Sequence, residues 1–540
     1  MKKIAIIAAL LTASMSGVAQ ETYENAKIAN EDLNGTARYV GMGGAMEALG
    51  ADISTISSNP AGIGLFRHST LGLSFGLVSQ QDVPGYASGS KTHASFDQIG
   101  FVYSTRSGRN SHINFGFNYH KSKNLDFILS AAGKPQNGSQ NMQSYLKGLK
   151  GSQSNGGFNI DTDKEGTYIG YEDEKSTSVA ATFNQLDYLY WNAFLVDPNT
   201  GDFGYNPAQY FWFNRKHTGY IGSYDFNISG NINDRVYLGL TFGLKDVHYN
   251  GYGEYVEQIH EAKGQHNGSL SVTDDRKITG TGFNVSAGII VRPVEESPFR
   301  IGLSVTTPTW YDLTTENYTT LANGTEFGAY DNGNIGEGYD FKLYTPWKFG
   351  FSLGHTVGNY LALGASYEYS DYSSMDTRVN DGFGYSWYYD EYYDSSSSDK
   401  AMNNHTKKTL KGVSTIKLGA EYKPMPELAI RAGYNYVSAM YDSNGYKDGG
   451  IVSEGSYYSS STDYTNWKGT NRMTLGVGYN INKFNIDLAY QYSETNGEFH
   501  PYTAISASDA MNNVVEKMSN DKFDVSNKRH QILLTLGYHF

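Results

Sequence analysis

Residues 483–494 read KFNIDLAYQYSE, and Phe484, Ile486, Leu488, Tyr490 and Tyr492 alternate there with Asn485, Asp487, Ala489, Gln491 and Ser493. Successive side chains of a strand point to opposite faces, so this stretch carries one apolar face and one polar or small face. Residues 235–244, RVYLGLTFGL, repeat the pattern, with Val236, Leu238, Leu240, Phe242 and Leu244 set against Tyr237, Gly239, Thr241 and Gly243. A soluble sandwich or solenoid needs an apolar interior, which a face of Gly, Ser, Asn and charge does not supply. One face suits lipid and the other suits water.

Working outward, the same alternation predicts strands near 69–80, 94–104, 112–121, 218–231, 235–249, 281–293, 298–306, 344–357, 359–371, 411–423, 427–438, 470–481, 483–494 and 530–540. That makes about fourteen, an even number of the length that outer-membrane barrels use. Tight links near Gly108-Arg109-Asn110, Ile232-Asn233-Asp234, Pro293 to Ser297, Gly358, Pro424-Met425-Pro426 and Asn480-Ile481-Asn482 alternate with long ones near 81–93, 122–217, 250–280, 307–343, 372–410, 439–469 and 495–529. Short periplasmic turns and long extracellular loops would produce this alternation. In the last strand Ile532, Leu534, Leu536, Tyr538 and Phe540 share a face, and a terminal aromatic there resembles the assembly signal read by the barrel-assembly machinery.

Composition narrows the function classes. The 540 residues hold 42 Lys and Arg against 55 Asp and Glu, a formal charge of −13, which speaks against a nucleic-acid partner. Gly at 61 and Tyr at 45 suit many short strands and aromatic turns. Cys is 0, which rules out disulfides, thiolate nucleophiles and Cys-based metal sites. No stretch after residue 20 approaches the ~20 apolar residues of a membrane helix. Lys2 and Lys3, the apolar run Ile4 to Leu11 and the small residues Gly17-Val18-Ala19 predict a signal peptide over 1–19, cleaved after Ala19.

Residues 20–68 do not alternate and cannot be wall. They read as short helices and turns, and their apolar members Ile53, Ile56, Ile63, Leu65 and Phe66 favour a place inside a barrel lumen. The stretch from Gly35 to Phe66, GTARYVGMGGAMEALGADISTISSNPAGIGLF, resembles the N-terminal hatch of the FadL/TodX family of outer-membrane hydrophobic-compound transporters. The tripeptide Asn59-Pro60-Ala61 before the first strand matches that family's hatch motif, and the strand count matches its barrel. The expected fold is therefore all-β: an antiparallel outer-membrane β-barrel of about fourteen strands, spanning 69–540, with a lumenal hatch over 20–68 and long, partly helical extracellular loops.

The resemblance implies a passive importer of hydrophobic small molecules such as long-chain fatty acids, with Asn59, Pro60 and Ala61 in the gating hatch. It further implies a sideways exit beside an inward kink of the third strand. On that strand Asn114, Gly116 and Asn118 face inward, and Gly116 either permits a kink or fills a crowded lumenal position. The expected partners are the ligand, outer-membrane lipids and the assembly machinery, the chain acting as a monomer without a cofactor or metal. Burying a methylene is worth ~0.8 kcal/mol, so a long acyl chain prefers a plugged apolar path to a water-filled pore.

Several further patterns carry two readings each. Within 122–217, Val179, Phe183, Leu186, Tyr190, Ala193 and Phe194 fall at helical spacing, either as a lid offering an apolar face to ligand or as packing over the barrel mouth. The Tyr-rich stretches 384–398 and 454–467 either bind a surface partner, the alternative function, or form a solvated surface. Gly72 to Gly76 and Gly350 to Gly354 match a nucleophile elbow but sit in predicted strands rather than strand-to-helix turns, which argues against an enzyme. Asp161 to Glu172 nearly matches a calcium loop, and His248, His260 and His266 lie close in sequence; acidic turn and surface histidines are the competing readings. Glu368, Lys417, Glu421, Arg431 and Asp487 are placed to face the lumen, either pairing with Arg38, Glu47 or Asp52 as structural latches or, for the basic ones, gripping a fatty carboxylate.

Overall fold

The computed structural model describes residues 21–83, 91–151, 159–162, 168–173, 176–177, 183–195, 204–259, 268–325, 337–386, 391–448, 451, 453, 461–503, 505–508 and 514–540. The predicted leader and its cleavage point lie outside these residues.

Fourteen antiparallel wall strands close on themselves. They are β1 (Thr70–Gln81), β2 (Thr92–Gly108), β3 (Ser111–Asn124, continued by Phe127–Gly133), β4 (Ala208–Ile232), β5 (Val236–Ile259), β6 (Gly268–Val291) and β7 (Arg300–Thr306, continued by Trp310–Asn323). The wall goes on through β8 (Glu337–Tyr344, continued by Lys348–Val357), β9 (Leu361–Asp371, continued by Asp376–Ser386), β10 (Gly412–Met425), β11 (Leu428–Val437), β12 (Tyr464–Ile481), β13 (Phe484–His500) and β14 (Phe523–His539). Closure runs from Thr70 paired with His539 to Gln81 paired with Lys528. Closure gives every wall strand a neighbour on both sides, which is what lets strands cross a bilayer. Pro308 and Pro346, which cannot donate to a ladder, fall in the interruptions of β7 and β8.

The alternation lands as the sequence predicts. Phe75, Phe101, Phe115, Phe226, Leu238, Phe349, Leu418, Leu475, Leu488 and Leu534 all stand exposed on the outer face, a continuous apolar band that water would not tolerate. The tight turns at one end use left-handed residues, with φ of 53° at Asn233, 55° at Asp234 and 54° at Asn482. Several strands run further than expected at the other end. The third continues to Gly133 and the fourth begins at Ala208, so the connection predicted over 122–217 gives up both its ends to the wall.

The N-terminal segment threads down the lumen. Helix α1 (Thr22–Ala29) lies high, under the loops, followed by α2 (Ala37–Gly41), α3 (Thr55–Ser58) and a 3-10 turn over Pro60–Leu65. Thr36 caps α2 by accepting from Tyr39 N, and Asn59 caps the 3-10 turn by accepting from Ala61 N. Inward glycines make the close fit possible. A Cβ on Gly433 would lie 2.2 Å from Gly43 N and one on Gly364 would lie 1.9 Å from Ala45 O. Above the rim, α4 (Gln140–Gly151) and α5 (Gln185–Tyr190) pack in a separate apolar core with Leu270, Leu321 and Tyr502.

Candidate functional site

The ladder between β2 and β3 stops at Gln98 paired with His120, although β2 continues to Thr92 and β3 continues on the side of β4. A register shift falls between Lys121 and Lys123, leaving Ser122 as an extra residue. One extra residue in a strand re-aims the next side chain. Lys123 thereby joins the lumenal face together with Asn124 and Leu125. Beyond it the strand turns inward. The Gln80 side chain on β1 mimics a strand partner, donating to Ile128 O at 2.7 Å and accepting from Ile128 N at 2.8 Å. The wall is thus interrupted between residues 92–97 of β2 and the inward continuation of β3.

Asn34 of the N-terminal segment spans that interruption. Its Nδ2 donates to Asp97 Oδ1 at 2.9 Å on one edge and to Lys121 O at 3.0 Å on the other, and its Oδ1 accepts from Gln531 at 3.2 Å. Behind Asn34 lies a chamber of about 380 Å³. One wall is aromatic: Tyr23 stacks on Tyr441 at 5.1 Å, Tyr464 lies 5.2 Å from Tyr23, and Trp467 meets Phe127 edge-on at 5.8 Å. Another part of the lining is charged, with Arg472, on the same strand as Tyr464 and Trp467, at 3.8 Å and Arg529 at 3.9 Å from Asp32. Burial raises the Asp32 carboxyl, but Lys123, Arg529 and Arg472 together outweigh it and hold the group below its ordinary range. A cleft with an apolar side and a few convergent polar groups is the usual form of a small-molecule site.

The lower part of the segment is fastened by buried charge. Arg38 meets Glu421 at 3.1 Å, and Arg431 bridges Glu421 at 2.6 Å and Asp487 at 2.5 Å. Lys417 reaches Glu47 and Glu368, each at 2.7 Å. These are the pairings the lumenal positions predict, except that Asp52 is held by the Thr36 hydroxyl at 2.8 Å rather than by a wall cation. Asn59, Pro60 and Ala61 are buried at the base, where a Cβ on Gly239 would lie 2.3 Å from Pro60 O and one on Gly288 2.0 Å from Asn59 Oδ1.

The other predicted positions fall as follows. Asn114 donates to Ile63 O at 2.8 Å, Asn118 accepts from Gln98 at 2.8 Å, and Gly116 sits in an unbroken ladder opposite Val102, so the inward turn lies beyond these residues. Phe183, Leu186, Tyr190 and Phe194 are all buried, the last three in the core over the mouth, with no apolar face turned to the chamber. Ser74 bonds Thr535 at 2.8 Å in mid-strand, and His248 pairs with Asp246 on the outer surface. His260, His266, Val179 and the middle of the acidic turn lie outside the described residues, as do the side chains of 383–394 and residues 454–460. Sequence reasoning missed Asn34, Lys123, Arg472 and Arg529, although the alternation does fail just after Lys121, where the wall breaks.

These features define a closed fourteen-strand barrel with a filled lumen and an interrupted wall. Against solved structures the chain shows the FadL-type transporter fold. A Pseudomonas aeruginosa FadL homologue matches at 13% identity with a TM-score of 0.50, covering 95% of this chain and 100% of that one. The Ralstonia pickettii toluene transporter TbuX matches at 14% identity and 0.46, covering 94% and 99%. The P. putida toluene transporter TodX matches at 11% identity and 0.46, covering 94% and 99%. No family model and no curated protein matches the sequence.

Proposed function

We propose that the protein is an outer-membrane passive transporter that takes up hydrophobic small molecules, long-chain fatty acids among them. In this reading residues 20–68 are the hatch, with Asn59, Pro60 and Ala61 seating its base, and 69–540 are the barrel. A ligand enters from the extracellular side, occupies the chamber and leaves sideways between β2 and the inward turn of β3. The observation that carries the reading is the coincidence of chamber and interruption, with Asn34 closing the passage between them. An apolar solute gains from passing straight from an apolar wall to lipid, since crossing water would forfeit ~0.8 kcal/mol per buried methylene.

The test is uptake of a labelled long-chain fatty acid by liposomes containing the purified barrel. A disulfide between cysteines placed at Asn34 and Asp97 should hold the passage shut and stop uptake, with reductant restoring it. Uptake that is unaffected by the crosslink would exclude this exit.

A further inference from the structure

The chamber is electropositive in an acidic protein. Eight Lys and Arg side chains line it against six Asp and Glu, while the whole chain carries −13. The excess is local. Lys123, Arg472 and Arg529 converge on Asp32, and among the described residues it is the one carboxylate within 4 Å of either arginine. Arg472 spends one further donor on Asn435 at 2.9 Å. Three cations around one carboxylate leave charge that a bound anion would complete.

The aromatic wall lies at a fixed distance from that cluster. Trp467 and Arg472 belong to the same strand and line the same chamber, five residues apart. At about 3.3 Å per residue their levels differ by roughly 16 Å, less the local irregularity after Trp467. Tyr23, Tyr441 and Tyr464 continue the aromatic surface on the far side from the arginines. A saturated chain gains little from ring faces that it would not gain from leucine, whereas an aromatic end gains the offset and edge-on contacts rings prefer.

Resting on the transport reading, we propose that the chamber selects a carboxylate whose far end is aromatic, with the anionic head between Lys123, Arg472 and Arg529 and the ring against Trp467 and the tyrosines. A neutral hydrocarbon leaves the cations unmet. A plain fatty acid meets them and leaves the rings with only nonspecific contact.

The experiment compares binding of phenyl-terminated decanoate, palmitate and decylbenzene, which have equal carbon counts, to the barrel in nanodiscs, with empty nanodiscs subtracted. The aryl carboxylate should bind about fivefold more tightly than palmitate, the size of one favourable ring contact. Arg472→Gln with Arg529→Gln should weaken both carboxylates about tenfold or more and leave decylbenzene unchanged. Trp467→Leu should weaken the aryl carboxylate alone. Folding of each variant is read separately from its heat-modifiable gel mobility. Palmitate binding as tightly as the aryl carboxylate, or decylbenzene binding as tightly as either, overturns the proposal. Transport is measured in liposomes in parallel. The predicted binding order without passage of any probe refutes transport and leaves the site standing, and equal passage of all three refutes the selectivity and leaves transport standing.

Discussion

Asn34 and Asp97 meet at 2.9 Å across the point where the second and third strands separate, so a side chain of the lumenal segment supplies the bond that the wall itself does not make. The bond is to a carboxylate and is part-buried, worth about 1.5 kcal/mol. Replacing Asn34 by Ala should leave the barrel folded and speed sideways release severalfold. Stopped-flow efflux from preloaded liposomes measures this, and an unchanged rate would remove Asn34 from the passage.

The glycines behind the segment give a second expectation. At Gly364 an added Cβ would meet the Ala45 carbonyl at 1.9 Å and at Gly239 it would meet Pro60 O at 2.3 Å, both backbone atoms that cannot swing aside. Gly364→Ala with Gly239→Ala should therefore dislodge the segment while the wall still closes. Single-channel recordings in planar bilayers should show open, leaky pores where the unmodified protein is silent.

The buried charges predict an order of damage. Arg431 serves both Glu421 and Asp487, whereas Arg38 shares Glu421 with it. Arg431→Met leaves the buried Asp487 with the Asn485 amide and no cation, and should cost about 3–5 kcal/mol. Arg38→Met leaves Glu421 still paired and should cost about 1 kcal/mol. Urea unfolding in micelles ranks the two, and equal losses would mean that the network does not act through Arg431.

Acid should loosen the upper arm first. Burial raises Glu24, Glu31 and Asp32, but the cations facing them outweigh it: chiefly Lys27 and Arg276 for Glu24, Lys245 and Lys348 for Glu31, and Lys123, Arg529 and Arg472 for Asp32. A carboxyl held below its unfolded value adds stability that is complete above that value and is lost as pH falls through the folded one. Nothing should change between pH 7 and about 4.5, and exchange of the amides of 22–34 should rise below about pH 4. Loosening at neutral pH would contradict the ion-pair account.

The wall was legible because lipid imposes a rule on every second residue. Leu238, Phe242, Ile486 and Leu488 could be assigned a face from spacing alone, and their exposure agrees. The ends of β5 beyond residue 249 and of β6 before residue 281 were not legible, since Asn250, Gln258, Asp275 and Lys277 are polar residues exposed on the outer face and the pattern loses its contrast. The same limit hid the cationic cluster. Lys123, Arg472 and Arg529 are remote in sequence, and only the register brings them to Asp32. The helix bearing Leu186 and Tyr190 was visible by its spacing, yet whether its apolar side met ligand or protein depended on Met142, Leu146 and Tyr502, which come from distant loops.

The extra residue at Ser122 has a consequence for how this barrel can vary. Side chains change compartment when the register changes by one, so pairing Ser122 in a regular ladder would turn Lys123 toward the bilayer, whereas deleting Ser122 would remove the bulge and keep Lys123 opposite Ile221 on the lumenal face. The address of a charge is set here by the bulge rather than by residue type. A substitution scan across 119–126 would read each position as it stands, whereas deletion of Ser122 would read the bulge alone, with the lysine kept on the lumenal side.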